Sequence, residues 1–208
     1  MWYPESKEIL DEQVSKFLSR KTSNPPEKIN GIIVPHAGYE FSGAIPGKAF
    51  ALLKKQGINR AVINAPSHYH QLNGILTLNK KEWYTPLGGM TLFNEGFDEN
   101  DIQREHSIDN QIPFLQKLGF KEVLPLMVGS IGNMQAIRIA EKLSRIKDAV
   151  YIFSTDLSHF LPYNEAIQKD KQTIKLIEDL DFQNFQKIDA CGIYPLLILM
   201  HFCRINNL

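Results

Sequence analysis

The stretch 31-GIIVPHAGY-39 decides the fold, because a short apolar run of strand type is followed at once by His36. The same arrangement recurs in 60-RAVINAPSHYH-70 and in 149-AVYIFSTDLSHF-160. In an open α/β sheet, ligands bind beyond the carboxyl ends of parallel strands. The three runs therefore predict buried strands whose polar ends converge on one site.

Helical patterns separate these strands. Residues 6–20 carry apolar side chains at helical spacing and predict an amphipathic opening helix. Residues 120–129 predict a further strand, and residues 74–93 predict a hairpin. Three more segments have the apolar period of helices: 108–118, 134–146 and 164–180. Strands that alternate with helices predict βαβ units, and so an α/β fold with a mainly parallel sheet covered on both faces.

The composition narrows the class of protein. A chain of 208 residues is predicted to form one domain, residues 1–208. Its 23 basic and 23 acidic residues give a net charge of zero, so neither nucleic acid nor an anionic membrane is expected as a partner. The two cysteines form no CxxC pair, the first residues do not form a signal peptide, and the longest apolar run, 194–202, is too short to cross a bilayer. We therefore expect a cytoplasmic protein.

The polar residues after the strands have more than one interpretation. A single histidine such as His36 is more often a hydrogen-bonded structural residue than a ligand. His68 and His70 lie two residues apart and project to opposite sides of an extended chain, so only His68, nearer the strand, is predicted to face the site. Asp156 and His159 are candidates for general acid or base, although Asp156 equally fits the cap of a helical turn.

Cys191 lies ahead of a strongly apolar helix, where the helix dipole favours its thiolate form. Two histidines and a thiolate suit copper, iron or zinc and not magnesium or calcium. Glu105 and His106 directly precede a helical segment, so they either line the same crevice or only begin the helix. With Tyr39 and His70 they are the candidates for a substrate pocket.

Eight short motifs carry a family resemblance: WYP, PHAGYEFSG, PSHYH, YTPLG, EHSIDNQIPFLQ, PLMVG, STDLSHF and ACGIYP. In this order they resemble the Memo family, which includes AmmeMemoRadiSam system protein B. The fold of that family is similar to that of the LigB-type class III extradiol dioxygenases. The resemblance therefore implies a three-layer αβα sandwich around a mainly parallel sheet.

The same resemblance implies a metal pocket, with His36, His68 and Cys191 at the ligand positions. Further positions of the family that line the pocket match Asp156, His159 and His106. In the dioxygenases two histidines and a carboxylate hold iron, whereas here a cysteine stands in place of the carboxylate. That exchange makes the site softer, so copper is expected as well as iron, and zinc is a further candidate.

Relatives in the family continue beyond the position of the final residues, CRINNL, with a closing strand. The resemblance therefore implies that the C-terminal strand region is missing and that one edge of the sheet is open. Because an open edge needs cover, a homo-oligomer that covers it is expected.

Three functions follow as hypotheses. The first is a Memo-type metal-binding protein with redox or dioxygenase-like chemistry, in which Asp156 and His159 move protons beside the metal. The second is a hydrolase in which zinc activates water. The third is a pocket that binds a peptide or protein partner without catalysis. The substrate of the enzyme hypotheses, a small molecule or a peptide, is left open by the sequence.

Overall fold

Parallel strands make up the centre of the sheet. The computed structural model describes residues 2–20, 28–101 and 105–208. Its strands are β1 (Gly31–Val34), β2 (Arg60–Pro66), β3 (Ile75–Leu78), β4 (Glu82–Thr85), β5 (Gly88–Leu92), β6 (Glu99–Asn100), β7 (Glu122–Val128) and β8 (Ala149–Ser154). Within the described residues β1, β8, β2 and β7 lie side by side and parallel.

The outer side of β7 pairs with two strands. The start of β7 pairs in parallel with β5, and its end pairs antiparallel with β3, which in turn pairs with β6. β4 and β5 form the hairpin predicted over residues 74–93. Gly88 follows the turn with a φ of 122°, a conformation that side chains other than that of glycine rarely adopt.

Helices cover both faces of the sheet, which confirms the predicted α/β sandwich. They are α1 (Lys7–Leu18), α2 (Ala44–Ala51), α3 (His106–Asp109), α4 (Ile112–Leu118), α5 (Asn133–Leu143), α6 (Tyr163–Glu178) and α7 (Ile193–Asn206). The apolar sides of α1, α2 and α4 pack on one face, and those of α5 and α7 pack on the other. α6 packs through Leu176 against Leu196 and Met200 of α7. The central strands are apolar on both sides because both faces are buried.

The register of the parallel strands brings their carboxyl ends together. Val34, the last residue of β1, pairs with Ser154, the last residue of β8. Asn64 near the end of β2 pairs with Phe153 of β8. The segments that follow these three strands therefore leave the sheet at the same end, as the sequence predicts.

One predicted helix is divided in two. The periodic segment 108–118 contains the end of α3 and the whole of α4, with a break at Asn110 and Gln111. Pro113, in the first turn of α4, has no backbone N–H and so cannot donate the hydrogen bond that would join α4 to an earlier helical turn. The side chains of Asn110 and Gln111 instead donate to the carbonyls of His36 and Pro35. The break thus ties this segment to the end of β1.

One edge of the sheet is open. Among the described strands, β1 pairs only with β8. Gly31 is exposed, and 43% of the surface of Ile33 is exposed. β1 is therefore an edge strand in the described part of the chain, and the missing C-terminal strand stays a prediction. None of the helices in the described ranges is both long and apolar enough to span a membrane.

Candidate metal centre

His36 lies at the centre of a cluster of polar side chains and is itself buried, with 2% of its surface exposed. Its backbone N–H donates to Asp156 Oδ1 at 2.8 Å, and its carbonyl accepts from Asn110 Nδ2 at 2.6 Å. Its ring Nδ1 lies 2.9 Å from Ser154 Oγ, and its Nε2 lies 3.2 Å from Cys191 Sγ. The ring is therefore held between the ends of β1 and β8 with Nε2 toward the thiol.

The surroundings of Ser154 decide which nitrogen of His36 carries the proton. The Ser154 hydroxyl donates its only proton to the carbonyl of Ser107 at 2.6 Å. Its oxygen must then accept from Gln111 Nε2 at 3.1 Å and from His36 Nδ1. His36 in its neutral form is thus protonated on Nδ1, and its Nε2 offers a lone pair.

His68 is held by the buried carboxylate of Glu105. Glu105 accepts from the His68 backbone N–H at 2.6 Å and from Tyr69 N at 3.3 Å, and its Oε1 lies 3.0 Å from His68 Nδ1. Burial favours the neutral acid, but the contacts of His106 and His68 outweigh it and hold the pKa of Glu105 well below its usual range. The ionised carboxylate accepts the Nδ1 proton of His68 and leaves Nε2 free.

Cys191 directly precedes α7 and is held against the end of β8. Its Sγ accepts from the backbone N–H of Asp156 at 3.2 Å. A Cβ on Gly192 would lie only 2.5 Å from the Cβ of Thr155, so glycine permits this close approach. Burial raises the pKa of the thiol, but its contacts with His36 and His68 outweigh this effect and lower that pKa to about 6. Cys191 is therefore largely a thiolate at neutral pH.

His68, one of the histidines near the thiolate, carries the opposite charge. Burial lowers the pKa of His68, but its hydrogen bonds to Cys191 and Glu105 outweigh this effect and raise the pKa to about 9. In the metal-free protein His68 is therefore an imidazolium beside a thiolate and a carboxylate. A bound cation would replace that proton, so metal binding would release protons.

Asp156 contacts His36 from the β8 side. Its Oδ1 accepts from the backbone N–H groups of His36 and Ala37, at 2.8 Å and 3.3 Å. Its Oδ2 lies 3.7 Å from His36 Nε2. One carboxylate oxygen therefore fixes the loop after β1, and the other remains near the thiolate.

His106 contacts both an aromatic ring and the shared carboxylate. Its ring stacks on Trp2, with the ring centroids 4.1 Å apart and the planes inclined by 11°. Its Nδ1 lies 2.9 Å from Glu105 Oε1, in an orientation too bent for a regular hydrogen bond. The ring centroid of His106 lies 4.5 Å from that of His68 and 5.4 Å from that of His36.

Two sets of donor atoms converge closely enough to hold one metal ion, and both contain His36. In each set the ligand atoms lie within 4.8 Å of one another. The first set is His36, His68 and His106, and the second is His36, Asp156 and Cys191. Imidazole and thiolate donors fit copper, iron or zinc, the metals that the resemblance implies.

Four of the predicted site residues lie outside these sets: Glu105, which contacts His68, and His159, His70 and Tyr39. His159 is exposed, next to the fully exposed Phe160, and its catalytic role stays a prediction. His70 has a buried Nε2 without a hydrogen-bond partner in the described part of the chain. Tyr39 is buried in the core, where burial raises the pKa of its phenol, and its hydroxyl donates to the carbonyl of Asn110 at 2.8 Å. It therefore supports the loop of His36 from behind.

Sequence reasoning did not single out several residues that hold the ligands. These are Ser154, Gln111 and Asn110, which bond to His36 or to one another around it, and Trp2, which stacks on His106. Ser154 ends a strand and faces the sheet interior, where a polar side chain is unusual. Asn110 and Gln111 are polar residues within an apolar helical pattern, and that irregularity is the signal that could have identified them.

The chain was compared with known proteins. A sequence model of a family described as "Memo-like protein" matches residues 1–207. A "MEMO1 family protein" of Methanococcoides burtonii is 31% identical over 96% of this chain and 83% of its own length. Another, of Sulfolobus acidocaldarius, is 31% identical over 86% of this chain and 72% of its own length. The "Protein memo-1 homolog" of Caenorhabditis elegans is 29% identical over 99% of this chain and 71% of its own length.

Proposed function

This chain belongs to the Memo-like family, and we propose that it is a metal-binding protein that carries out redox chemistry. The ion, copper or iron, is held by His36, His68 and Cys191. The observation that carries the proposal is the position of Cys191 Sγ, 3.2 Å from Nε2 of His36, whose ring lies in turn in one converging set with ring nitrogens of His68 and His106. A half-buried thiolate beside two oriented imidazoles is a donor set for a soft or borderline transition metal.

The orientation of the ligands supports this proposal. Ser154 accepts the Nδ1 proton of His36, and Glu105 accepts that of His68. In metal proteins such partners fix the tautomer and the direction of the ligating nitrogen. Both imidazoles thus offer Nε2 without a change of rotamer.

A copper or iron ion at this site would supply one-electron chemistry to a bound substrate or to O₂. Asp156 is the residue best placed to accept or return a proton, since its Oδ2 lies 3.7 Å from His36 Nε2 while its Oδ1 is held by two backbone N–H groups. His159, on the exposed loop that follows, is proposed as the group that passes protons to solvent. Glu105 stays ionised and keeps the His68 side chain in place.

A zinc-dependent hydrolase is the second candidate, and the observation that favours it is the three-histidine set of His36, His68 and His106. Catalytic zinc sites often use three protein ligands and leave a fourth position for water. Asp156 would then serve as the general base. Zinc with hydrolytic turnover, in place of copper or iron with a response to oxygen or reductant, would identify this function.

The test is metal analysis of protein purified without oxygen. We expect about one copper or iron ion per chain and, once the ion is oxidised to Cu²⁺ or Fe³⁺, an absorption band from charge transfer between thiolate and metal. Cys191→Ser should abolish the band and lower the metal content, while Cys203→Ser, on α7 and outside the cluster, should change neither. A wild-type protein that takes up neither metal, or a Cys191→Ser protein with full metal content and an unchanged band, would contradict the proposal.

We further propose a cytoplasmic location and a homo-oligomer that covers the β1 edge. Both cysteines are free, as is usual in a reducing compartment. The exposed backbone of Gly31 and the side chain of Ile33 form an edge that a second copy can pair with. Sedimentation should show self-association that Ile33→Lys weakens. Monomers at every concentration tested would rule out the oligomer.

A further inference from the structure

We propose that His106 is a fourth protein ligand of the metal centre, beside His36, His68 and Cys191. This inference rests on the proposed metal-binding function. A ring nitrogen of His106 lies within 4.8 Å of ring nitrogens of both His36 and His68. Ligand atoms lie about 2.0–2.3 Å from a bound transition metal ion. Two nitrogens within 4.8 Å of each other can therefore bind the same ion after a small movement of the side chains.

A shared carboxylate treats His106 and His68 alike. Glu105 Oε1 lies 3.0 Å from His68 Nδ1 and 2.9 Å from His106 Nδ1. The carboxylate is fully buried and ionised, so it can only accept. Nδ1 of each imidazole therefore faces Glu105, and Nε2 is the nitrogen left for a cation, which would displace the Nε2 proton of His68. One carboxylate that orients two imidazoles is the kind of support found behind metal ligands.

The ring of His106 is also fixed in direction. Trp2 stacks on it at 4.1 Å, and the Tyr69 ring centroid lies 5.3 Å away. Trp2 in turn is held because its carbonyl accepts from Tyr39 N at 2.9 Å. The buried Nδ1 of His106 has no hydrogen-bond partner of regular geometry in the described residues. A histidine fixed in this way, with a ring nitrogen within 4.8 Å of ring nitrogens of His36 and His68, is placed to bind a cation.

Asp156 is the competitor for the fourth position. Its Oδ2 lies near His36 Nε2, and with Cys191 it completes the second set of converging atoms. However, its Oδ1 already fixes the loop after β1, through the N–H groups of His36 and Ala37. Three imidazoles and one thiolate also form a softer donor set than one that contains a carboxylate.

A fourth protein ligand changes the chemistry expected of the site. Four donors satisfy a tetrahedral ion and leave no position open for water or substrate. With His106 bound, the centre is therefore suited to holding a metal or to transferring electrons. Release of His106 would open a position for a substrate.

The test uses the whole chain loaded with Co²⁺ without oxygen, because visible absorption of Co²⁺ reports its coordination number and thiolate ligation. We expect His106→Gln to lower Co²⁺ affinity about 100-fold and to weaken the bands of four-coordinate cobalt, while the thiolate band stays. His201→Gln makes the same change in a buried histidine of α7 outside the cluster, and it should leave the affinity and the bands unchanged.

Two other outcomes separate this inference from the proposed function. An affinity of His106→Gln within twofold of the wild type, or a loss seen only with Asp156→Asn, would overturn His106 as a ligand and leave the metal site standing. If the wild-type chain binds no Co²⁺, copper or iron, both proposals fail. Circular dichroism and thermal unfolding of each metal-free variant establish that it is folded. Trp2→Ala, which keeps His106 but removes its stacking partner, should give a smaller loss of affinity in the same direction.

Discussion

His36 and His201 are equally buried, with 2% and 1% of their surfaces exposed, yet their surroundings are opposite. The ring of His36 meets a hydroxyl, a thiolate and a carboxylate. The ring of His201, on α7, accepts at Nδ1 from Arg204 at 3.0 Å and donates from Nε2 to Asn133 Oδ1 at 2.8 Å. One histidine keeps a lone pair directed at anionic groups, and the other has both nitrogens satisfied beside a cation.

The difference shows that burial alone does not identify a functional histidine. Around His201, burial and the nearby Arg204 charge lower the pKa to about 4, so the ring stays neutral and structural. Phe182 stacks on it at 4.4 Å and completes a packed environment. Around His36, the Cys191 sulfur and the Asp156 carboxylate lie near Nε2, and a cation bound between them would be attracted to all three groups. The charge of the neighbours separates the two roles.

The largest difference between His36 and His201 is expected when each side chain is truncated in turn. His36→Ala should lower metal affinity about 100-fold or more, because it removes the donor common to both converging sets. His201→Ala should leave metal affinity unchanged and lower the free energy of unfolding by about 2 kcal/mol, through lost packing and hydrogen bonds. Chelator competition and urea unfolding measure the two effects. If His201→Ala also loses the metal, the two histidines do not differ as described.

The second prediction concerns pH and His201. Its pKa is lowered in the folded protein to about 4 from the ordinary value of 6.5, so the unfolded chain binds a proton more readily. The stability from this group is full above pH 6.5 and is lost as the pH falls toward 4. We expect a loss of about 3 kcal/mol over that window, since one pKa unit corresponds to about 1.4 kcal/mol.

His201→Gln is the matched variant for this pH dependence, because glutamine can keep a hydrogen bond to Asn133 without titrating. Urea unfolding of metal-free protein between pH 7 and pH 4 should show a flatter dependence in the variant. An identical slope in both proteins would mean that His201 does not carry the effect.

The smallest predicted effect is that of Ser154, the residue that holds the ring of His36. Ser154→Ala removes the acceptor for the Nδ1 proton, so the tautomer and direction of the ring are less fixed. We expect metal affinity to fall about tenfold, the lower end for partners of metal ligands. Ser15→Ala, which removes a hydroxyl bonded to the Asp11 carbonyl on α1, is the control and should have no effect on the metal. Equal affinities in the two variants would show that Ser154 is dispensable.

The sequence predicts the fold well because apolar periodicity and turn residues act locally. The runs at 31–34, 60–66 and 149–154 are strands, and their common end of the sheet follows from parallel pairing. The division of 108–118 was not predicted, because it depends on Asn110 and Gln111 finding carbonyls on a distant loop. Local patterns contain no information about such partners.

The site is less accessible to sequence reasoning than the fold. The positions of His36, His68 and Asp156 can be predicted from the sheet topology alone, because all three follow the carboxyl ends of parallel strands. The sequence does not show that the buried Glu105 carboxylate faces two imidazoles, because this depends on side-chain directions that spacing does not fix. The stacking of Trp2 on His106 likewise joins the start of the chain to its middle.

The contact between Cys191 and His36 joins residues 155 positions apart in the chain. No fragment that lacks either β1 or the start of α7 contains both donors. A metal ion bound there acts as a cross-link that closes a long loop, and it becomes available only when both ends of the fold have assembled. Metal uptake during synthesis would therefore mark the last stage of chain assembly, and apo chains should be the more readily cleaved by proteases.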